Sequence, residues 1–502
     1  MAVEGETAFG ERQRSERKGE KKMRLATAGL VLIALALGAY LRFASIGANE
    51  MSADEGASWA AAAAPSITEV LRLQSHLNRG KAGLHDITLH EWMRAFGDSL
   101  GAMRGLSALA GTLAILLVFF VAREVLLLRG ESANATGALS ASERDAIAAV
   151  AALIFAVNLV TIKYSRELRM YPLMLAALLT QIVFFIRAAR AGGVINYAGA
   201  AVFTALAFAI HLTVGVAFVP EGIWIFYMMS RSRPAFVTLE SGRAMRLSIA
   251  IAAGIATVLI LAPDMLRSSE HAVDTGVIDW IKRPPVWAPL SLFSKATGTF
   301  AFPVMAMLGA WGAFRGWRRA REAVLFALLW MWAPPLLVLL VSYAVAPVFV
   351  ERYVVSSFVP FFILVAVGVW ELITPPSVSE LRAKAMRFGA LVVVVALSLG
   401  HIYGYDRKPH DTQWGEAAQI AASAAKPGDP IAVAPGYAVN VMRYYLRNGS
   451  DADAALPALG DHHAAPVVVI ADQGVSPATA GALDREYPHL LAHLRGVVVR
   501  HR

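Results

Sequence analysis

Two acidic side chains stand together at Asp54 and Glu55, in the stretch NEMSADEGASW, just past the first long apolar run. A carboxylate pair at a membrane surface can hold an acceptor hydroxyl and take its proton. The same pair would also suit a solvated loop or a helix start, where acidic residues are common. A second candidate is YSRELRMY, Tyr164 to Tyr171. Arg166 and Arg169 are three apart, so on a helix they share a face. Two guanidinium groups beside an apolar boundary suit a lipid phosphate, which arginine grips with paired hydrogen bonds. Interfacial snorkelling and a local pair with Glu167 are the plainer alternatives. The third candidate is ERY, Glu351 to Tyr353, where Arg352 could supply another phosphate contact. Lys282 and Arg283, just before Pro284, are a weaker version of the same idea.

Other polar residues carry less. His76, His85 and His90 lie close together and His462 and His463 are adjacent, but neither set has zinc-site spacing. Glu221 falls within an apolar run, where a buried acid is either functional or paired with a neighbouring helix. The chain has no cysteine, which removes disulfides, thiolate nucleophiles and cysteine-ligated metals.

The elements that must position these residues are membrane helices. Of 502 residues, 57% are hydrophobic and 17% charged, whereas a soluble domain is about 25% charged. A surface this apolar needs a bilayer as its solvent. Apolar runs centre on residues 25–43, 106–121, 146–162, 172–186, 194–210, 212–229, 247–261, 296–314, 323–344, 354–370 and 388–399. They predict a polytopic α-helical membrane protein with about eleven transmembrane helices. Residues 1–24 are charged and without periodicity, and read as a disordered cytoplasmic tail. The first run reads as a retained span, not a cleaved signal.

Charge sets the expected orientation. With the tail inside, the short inside loops hold Arg187 and Arg190, then Arg315, Arg318, Arg319 and Arg321, then Arg382, Lys384 and Arg387, as the positive-inside rule requires. These loops account for the net charge of +9 without a nucleic-acid partner. The N-terminus is expected in the cytoplasm and the C-terminus outside the cytoplasmic membrane. Residues 25–403 form the transmembrane unit, with a first outside loop at 46–99. In that loop SITEVLRLQSHL and ITLHEWMRAF have helical spacing and read as amphipathic helices along the membrane surface. From 404 to 502 the composition is that of a soluble domain. Strands at 430–434, 466–471 and 496–500 alternate with the helical stretches WGEAAQIAASAA, YAVNVMRYYL and ATAGALDREYPHLLAHL. A small extracytoplasmic α/β domain with a mainly parallel sheet is expected.

At these residues the chain resembles bacterial members of the protein O-mannosyltransferase-like superfamily (glycosyltransferase family 39), which include the aminoarabinose transferases of lipid A and have the GT-C fold. The resemblance runs in order through most of the chain. Asp54–Glu55 matches the acidic pair of the first outside loop. LHEWMRAFGDSLGAMRGLSALAG looks like the stretch entering the second span. YSRELRMYPLML matches a tyrosine–glutamate–arginine–tyrosine motif. ERYVVSSFVPFFILVAVG looks like the arginine–tyrosine-plus-proline helix, and DTQWGEAAQIAASAAKPGDPIAV like the start of the tail domain. Where the family often carries histidine–proline–proline, this chain reads KAGLHD, Lys81 to Asp86, in a loop expected to shape the donor or acceptor pocket.

The resemblance implies sugar transfer, with inversion, from a polyprenyl-phosphate sugar to an acceptor hydroxyl outside the cytoplasmic membrane. Asp54 would be the general base and Glu55 would orient acceptor or base. Arg166, Arg169 and Arg352 would hold the donor phosphate, with Glu167, Tyr171, Tyr353 and Lys282 in support. The partners implied are the polyprenyl-phosphate sugar, an acceptor on a glycan, lipid or protein, and the membrane lipid around the bundle. No cofactor is required, and a divalent metal, though compatible, is called for by no spacing. The rival class is a transporter or flippase of a lipid-linked sugar, which would set its polar residues near the membrane midplane. Nearly all the candidates sit instead at the outer boundary, with Glu221 as the exception.

Overall fold

The computed structural model describes residues 2–77, 80–128, 139–231, 239–267, 281–372, 379–409, 411–426, 429–447, 465–473 and 475–502. Helix α1 spans Ala2–Phe43. Residues 2–24 therefore continue the first span as helix, where the sequence reads as a disordered tail. They are rich in Glu, Lys and Arg and contain no proline. Extending an existing helix with such residues avoids the cost of a new nucleus.

Among the described residues seven helices are long and apolar enough to cross a membrane, or up to nine if two bent pairs each count as one span. Two shorter apolar helices, Val194–Ile210 and Val355–Trp370, accompany them. The eleven predicted runs fall on these seven helices, two pairs and two short helices. Their positions agree, but by length and composition the number of full spans does not reach eleven. The chain is a multi-pass α-helical membrane protein.

One bend matters for the site. Helices α6 (Ala141–Ala156) and α7 (Leu159–Ser165) meet at 61°. Asn158 makes the break: its side-chain oxygen accepts from the N–H of Thr161 at 3.3 Å, capping α7. Its amide donates to the carbonyl of Ala296 at 2.9 Å. After Ser165 the chain turns before α8 (Tyr171–Ala191) begins. Elsewhere the helices Ala301–Arg319 and Phe358–Trp370 cross at Gly312 and Gly368. A Cβ on either glycine would enter the partner's backbone at Leu364 or Leu308. Small residues permit this close approach in a membrane, where packing rather than hydrophobicity joins helices.

The first loop folds into α2 (Ala53–Ala62), α3 (Ile67–Leu77) and α4 (Leu84–Phe96), leading into α5 (Leu100–Val125). The two stretches read as amphipathic helices are α3 and α4.

The tail forms a four-stranded sheet of order β1-β2-β4-β3. β1 (Ile431–Ala434) pairs parallel with β2 (Val467–Ala471), but β4 (Val497–His501) is antiparallel to both β2 and β3 (His489–Leu494). The expected mainly parallel sheet is thus mainly antiparallel. The stretch HLLAHL, read as a helix end, is β3. It joins β4 through Arg495 and Gly496, and Gly496 has φ +77°. A two-residue connection makes a hairpin and therefore an antiparallel pair.

This domain sits directly on the first loop. Glu50 accepts from the N–H of Gly415 at 2.5 Å, and its own N–H donates to Asp411 at 3.1 Å. The N–H of Met51 donates to the hydroxyl of Tyr445 at 2.7 Å. Gly56 of α2 faces Val441 so closely that a Cβ would lie 2.7 Å from its backbone nitrogen. Helix propensity favours Gly56→Ala by about 1 kcal/mol, but overpacking costs about 1–3 kcal/mol. Gly56→Ala should therefore lower the thermal unfolding midpoint in detergent. A midpoint at or above wild type would show that the two backbones can part.

Candidate active site

Helix α2 opens with a capping box. The Ser52 hydroxyl accepts from the N–H of Glu55 at 3.3 Å, and the Glu55 carboxylate accepts from the N–H of Ser52 at 2.8 Å. This fixes Asp54 in the first turn with its side chain 58% exposed. Its Oδ2 lies 3.5 Å from Arg169 and 3.6 Å from Arg352. Arg169 also donates to the backbone carbonyl of Asp54 at 2.9 Å. The Arg169 guanidinium foremost, against partial desolvation and with help from Arg352 and Lys81, holds the Asp54 carboxyl below its ordinary value.

Glu55 points the other way and is buried. Its two oxygens accept from Nε and Nη2 of Arg104 at 2.8 and 2.9 Å, and Oε1 also accepts from the N–H of Leu168 at 2.7 Å. Burial alone would raise this carboxyl; Arg104 and the N–H groups of Leu168 and Ser52 hold it below its ordinary value. Arg104 further donates to the carbonyls of Ile46, Asn49 and Glu50 at 2.9, 2.8 and 3.0 Å. One guanidinium thus folds the loop that presents Asp54.

The two arginines come from separate turns. Arg169 lies in the turn between α7 and α8, and the hydroxyl of Ser107 in α5 donates to its carbonyl at 2.9 Å. Arg352 lies in the 3-10 turn Glu351–Tyr353, which the Tyr164 hydroxyl ties down by donating to Glu351 at 3.1 Å. Arg169 stacks on Tyr171 and Arg352 on Tyr353, at 5.7 and 5.9 Å. The ring of His211 stands between those tyrosines, with centroids 6.1 and 6.2 Å away. Burial, then Lys81, Arg169 and Arg352, push its imidazole well below the ordinary value.

Lys81 completes the group. It is buried 3.4 Å from Asp86, and burial lowers its ammonium to about 8. Two backbone bonds place it: the N–H of Ala82 donates to Ala209 at 3.0 Å, and the N–H of Leu212 to Gly80 at 2.8 Å. The loop is thereby stitched to the chain on both sides of His211.

No protein-family model matches the chain, and neither does any curated protein. Solved structures do match. ArnT from Cupriavidus metallidurans in the apo state superposes with a TM-score of 0.59 at 14% identity, covering 95% of this chain and 98% of that one. The same protein bound to undecaprenyl phosphate gives 0.59 at 13% identity, covering 94% and 98%. The chain has the GT-C fold. At this identity the likeness concerns the fold, which spans both the membrane bundle and the tail sheet.

Within the GT-C fold the predicted residues separate. Asp54, Arg169 and Arg352 converge, with Tyr171 and Tyr353 as the ring partners of the two arginines. Glu167 is half-buried nearby; burial foremost lifts its carboxyl to about 7, and Glu55 and Asp54 add to the effect. Arg166 does not join them. The helix ends at Ser165, so Arg166 and Arg169 share no helical face. Arg166 donates to the carbonyl of Leu41 at 2.7 Å and pairs with Asp406 at 2.8 Å, tying the first span to the last. The lysine acting on Asp54 is Lys81, not the exposed Lys282. Arg104 and His211 were also not singled out by the sequence.

The remaining candidates have other partners. His76 is near the end of α3, His85 is buried 3.8 Å from Asp86, and His90 bonds the carbonyl of Ala62. His462 and His463 lie outside the described residues. Glu221 accepts from Gln181 at 2.9 Å inside a span. The Asp54 group can therefore do two things side by side: accept a proton and hold an anion.

Proposed function

We propose that the chain is an inverting glycosyltransferase. It moves a sugar from a polyprenyl-phosphate donor to an acceptor hydroxyl on the outer side of the cytoplasmic membrane. The observation that carries this reading is Asp54, open on one side and flanked on the other by Arg169 and Arg352. The acceptor oxygen forms its bond to the anomeric carbon while the bond from that carbon to the phosphate oxygen breaks. Asp54 takes the acceptor proton, and the leaving polyprenyl phosphate gains one negative charge. Arg169 and Arg352 meet that charge, with Lys81 adding to the positive field. Binding the phosphate also offsets the cations that depress the Asp54 carboxyl, which makes it a stronger base once the donor is seated. Glu55 acts on Asp54 and not on the acceptor, because its oxygens are spent on Arg104, Leu168 and Ser52. The fold shared with an ArnT bound to undecaprenyl phosphate supports the choice of donor.

The test is transfer of labelled sugar from a polyprenyl-phosphate donor by the purified chain in nanodiscs; no transfer with any such donor ends the reading. Arg169→Ala and Arg352→Ala should each weaken undecaprenyl-phosphate binding by about 1.5–3 kcal/mol, the worth of a charge-assisted contact. Arg→Lys should rescue only partly, since the planar fork is lost. Arg166→Ala should leave that affinity nearly unchanged. Equal binding by all the alanine variants would leave these arginines as structural anchors.

The orientation has its own test. A reporter active only outside the cytoplasm should be active when fused after Tyr403 and silent after Arg319. The opposite pattern would put Asp54 on the cytoplasmic side.

A further inference from the structure

We propose that the acceptor is a carbohydrate, held between the Asp54 carboxylate and the ring of Tyr437 in the sheet domain. This rests on the transfer reading above and adds to it a substrate class and a specificity-determining residue. Asp54 has Arg169 and Arg352 on one side, so an acceptor must come from the side they leave open. The turn Gly436–Ala438 packs against α2, the helix that bears Asp54.

Tyr437 lies in this turn and keeps 51% of its surface exposed. Its hydroxyl donates to the carbonyl of Gln473 at 2.8 Å, so the ring is tethered at its far end. The domain itself is held to the loop by the bonds of Glu50 and Met51. Burial and then the charge of Asp54 raise the Tyr437 phenol.

A fixed, half-exposed aromatic ring beside an open carboxylate asks for a ligand with an apolar face and a hydroxyl at its edge. A sugar ring has both. Its C–H face can cover the tyrosine while one edge hydroxyl reaches Asp54. The serine or threonine of a protein acceptor brings the hydroxyl without the face.

The experiment uses the full chain in nanodiscs with two probes. Saturation-transfer NMR follows a panel of methyl pyranosides, and a separate titration follows undecaprenyl phosphate. Wild type, Tyr437→Phe and Tyr437→Trp should all capture at least one methyl pyranoside. Tyr437→Ala should weaken that capture by about tenfold, roughly what one aromatic contact is worth. All four proteins should bind undecaprenyl phosphate equally. Capture by Tyr437→Ala as strong as wild type overturns the proposal, and so does capture of serine or threonine peptides in place of the pyranosides. A wild type that binds undecaprenyl phosphate but no pyranoside overturns the carbohydrate assignment and leaves the donor reading standing. A wild type that binds no undecaprenyl phosphate fails the donor reading instead.

Discussion

Asp54→Asn should lower turnover by at least about a hundredfold, within the about 10²–10⁴ that general-base catalysis contributes. The amide keeps the shape of the carboxylate and can still accept a hydrogen bond, but it cannot take a proton. Donor binding should respond differently. Asp54 now lies 3.5 and 3.6 Å from the two guanidinium groups that would meet the phosphate. Removing its negative charge leaves those arginines less compensated, so undecaprenyl phosphate should bind as tightly as before or tighter. The signature is a fall in kcat with donor KM unchanged or lower. A transporter would lose binding and movement together, or neither. The measurement is turnover of a labelled polyprenyl-phosphate sugar beside a binding titration on the same preparation. If Asp54→Asn transfers as fast as wild type, Asp54 is not the base. Glu167, whose carboxyl lies near 7, would then be the next to replace.

Arg104→Ala carries the largest expected loss of stability. It leaves the buried carboxylate of Glu55 without its cation, and breaking a buried pair this way costs about 3–5 kcal/mol. Three loop carbonyls lose their donor in the same step. Thermal unfolding and limited proteolysis in detergent would report the change, with cleavage expected between residues 46 and 56. Glu55→Gln should cost less, because an amide oxygen still accepts from the N–H of Leu168. Arg104→Lys should fall between, keeping charge but not the fork. If Arg104→Ala unfolds at the wild-type temperature, the loop is held by its contacts with the sheet domain alone.

The sequence made the chemistry partly legible. Asp54, Arg169 and Arg352 stand in short polar islands beside apolar runs, where a charge needs a reason to be. Arg166 sits in the same island and was given the same role, because spacing assumes a helix and the chain leaves the helix at Ser165. Arg104 had no role in that reading, and Lys81 only a place in a pocket-shaping loop, for a different reason. Their partners are 49 and five residues away, and a buried ion pair between separate elements has no periodic signature. The one cue for Lys81 was a lysine and an aspartate sharing the short apolar stretch KAGLHD. The hairpin in the tail was hidden because HLLAHL suits a helix as well as an edge strand. Its turn residue, Gly496, was the cue that arbitrates.

The order of the residues along the chain also fixes the order in which the site comes into being. Asp54 and Glu55 leave the ribosome early. Arg104 follows Glu55 by 49 residues, and Arg169 follows Asp54 by 115. Arg352 comes about 300 residues after Asp54, which at roughly 5–20 residues per second means on the order of 15–60 seconds of synthesis. The sheet domain that bears Tyr437 is later still. A nascent chain halted before residue 352 has its carboxylate and one guanidinium but not the second. The charge balance around Asp54 is therefore completed only when most of the bundle is already made.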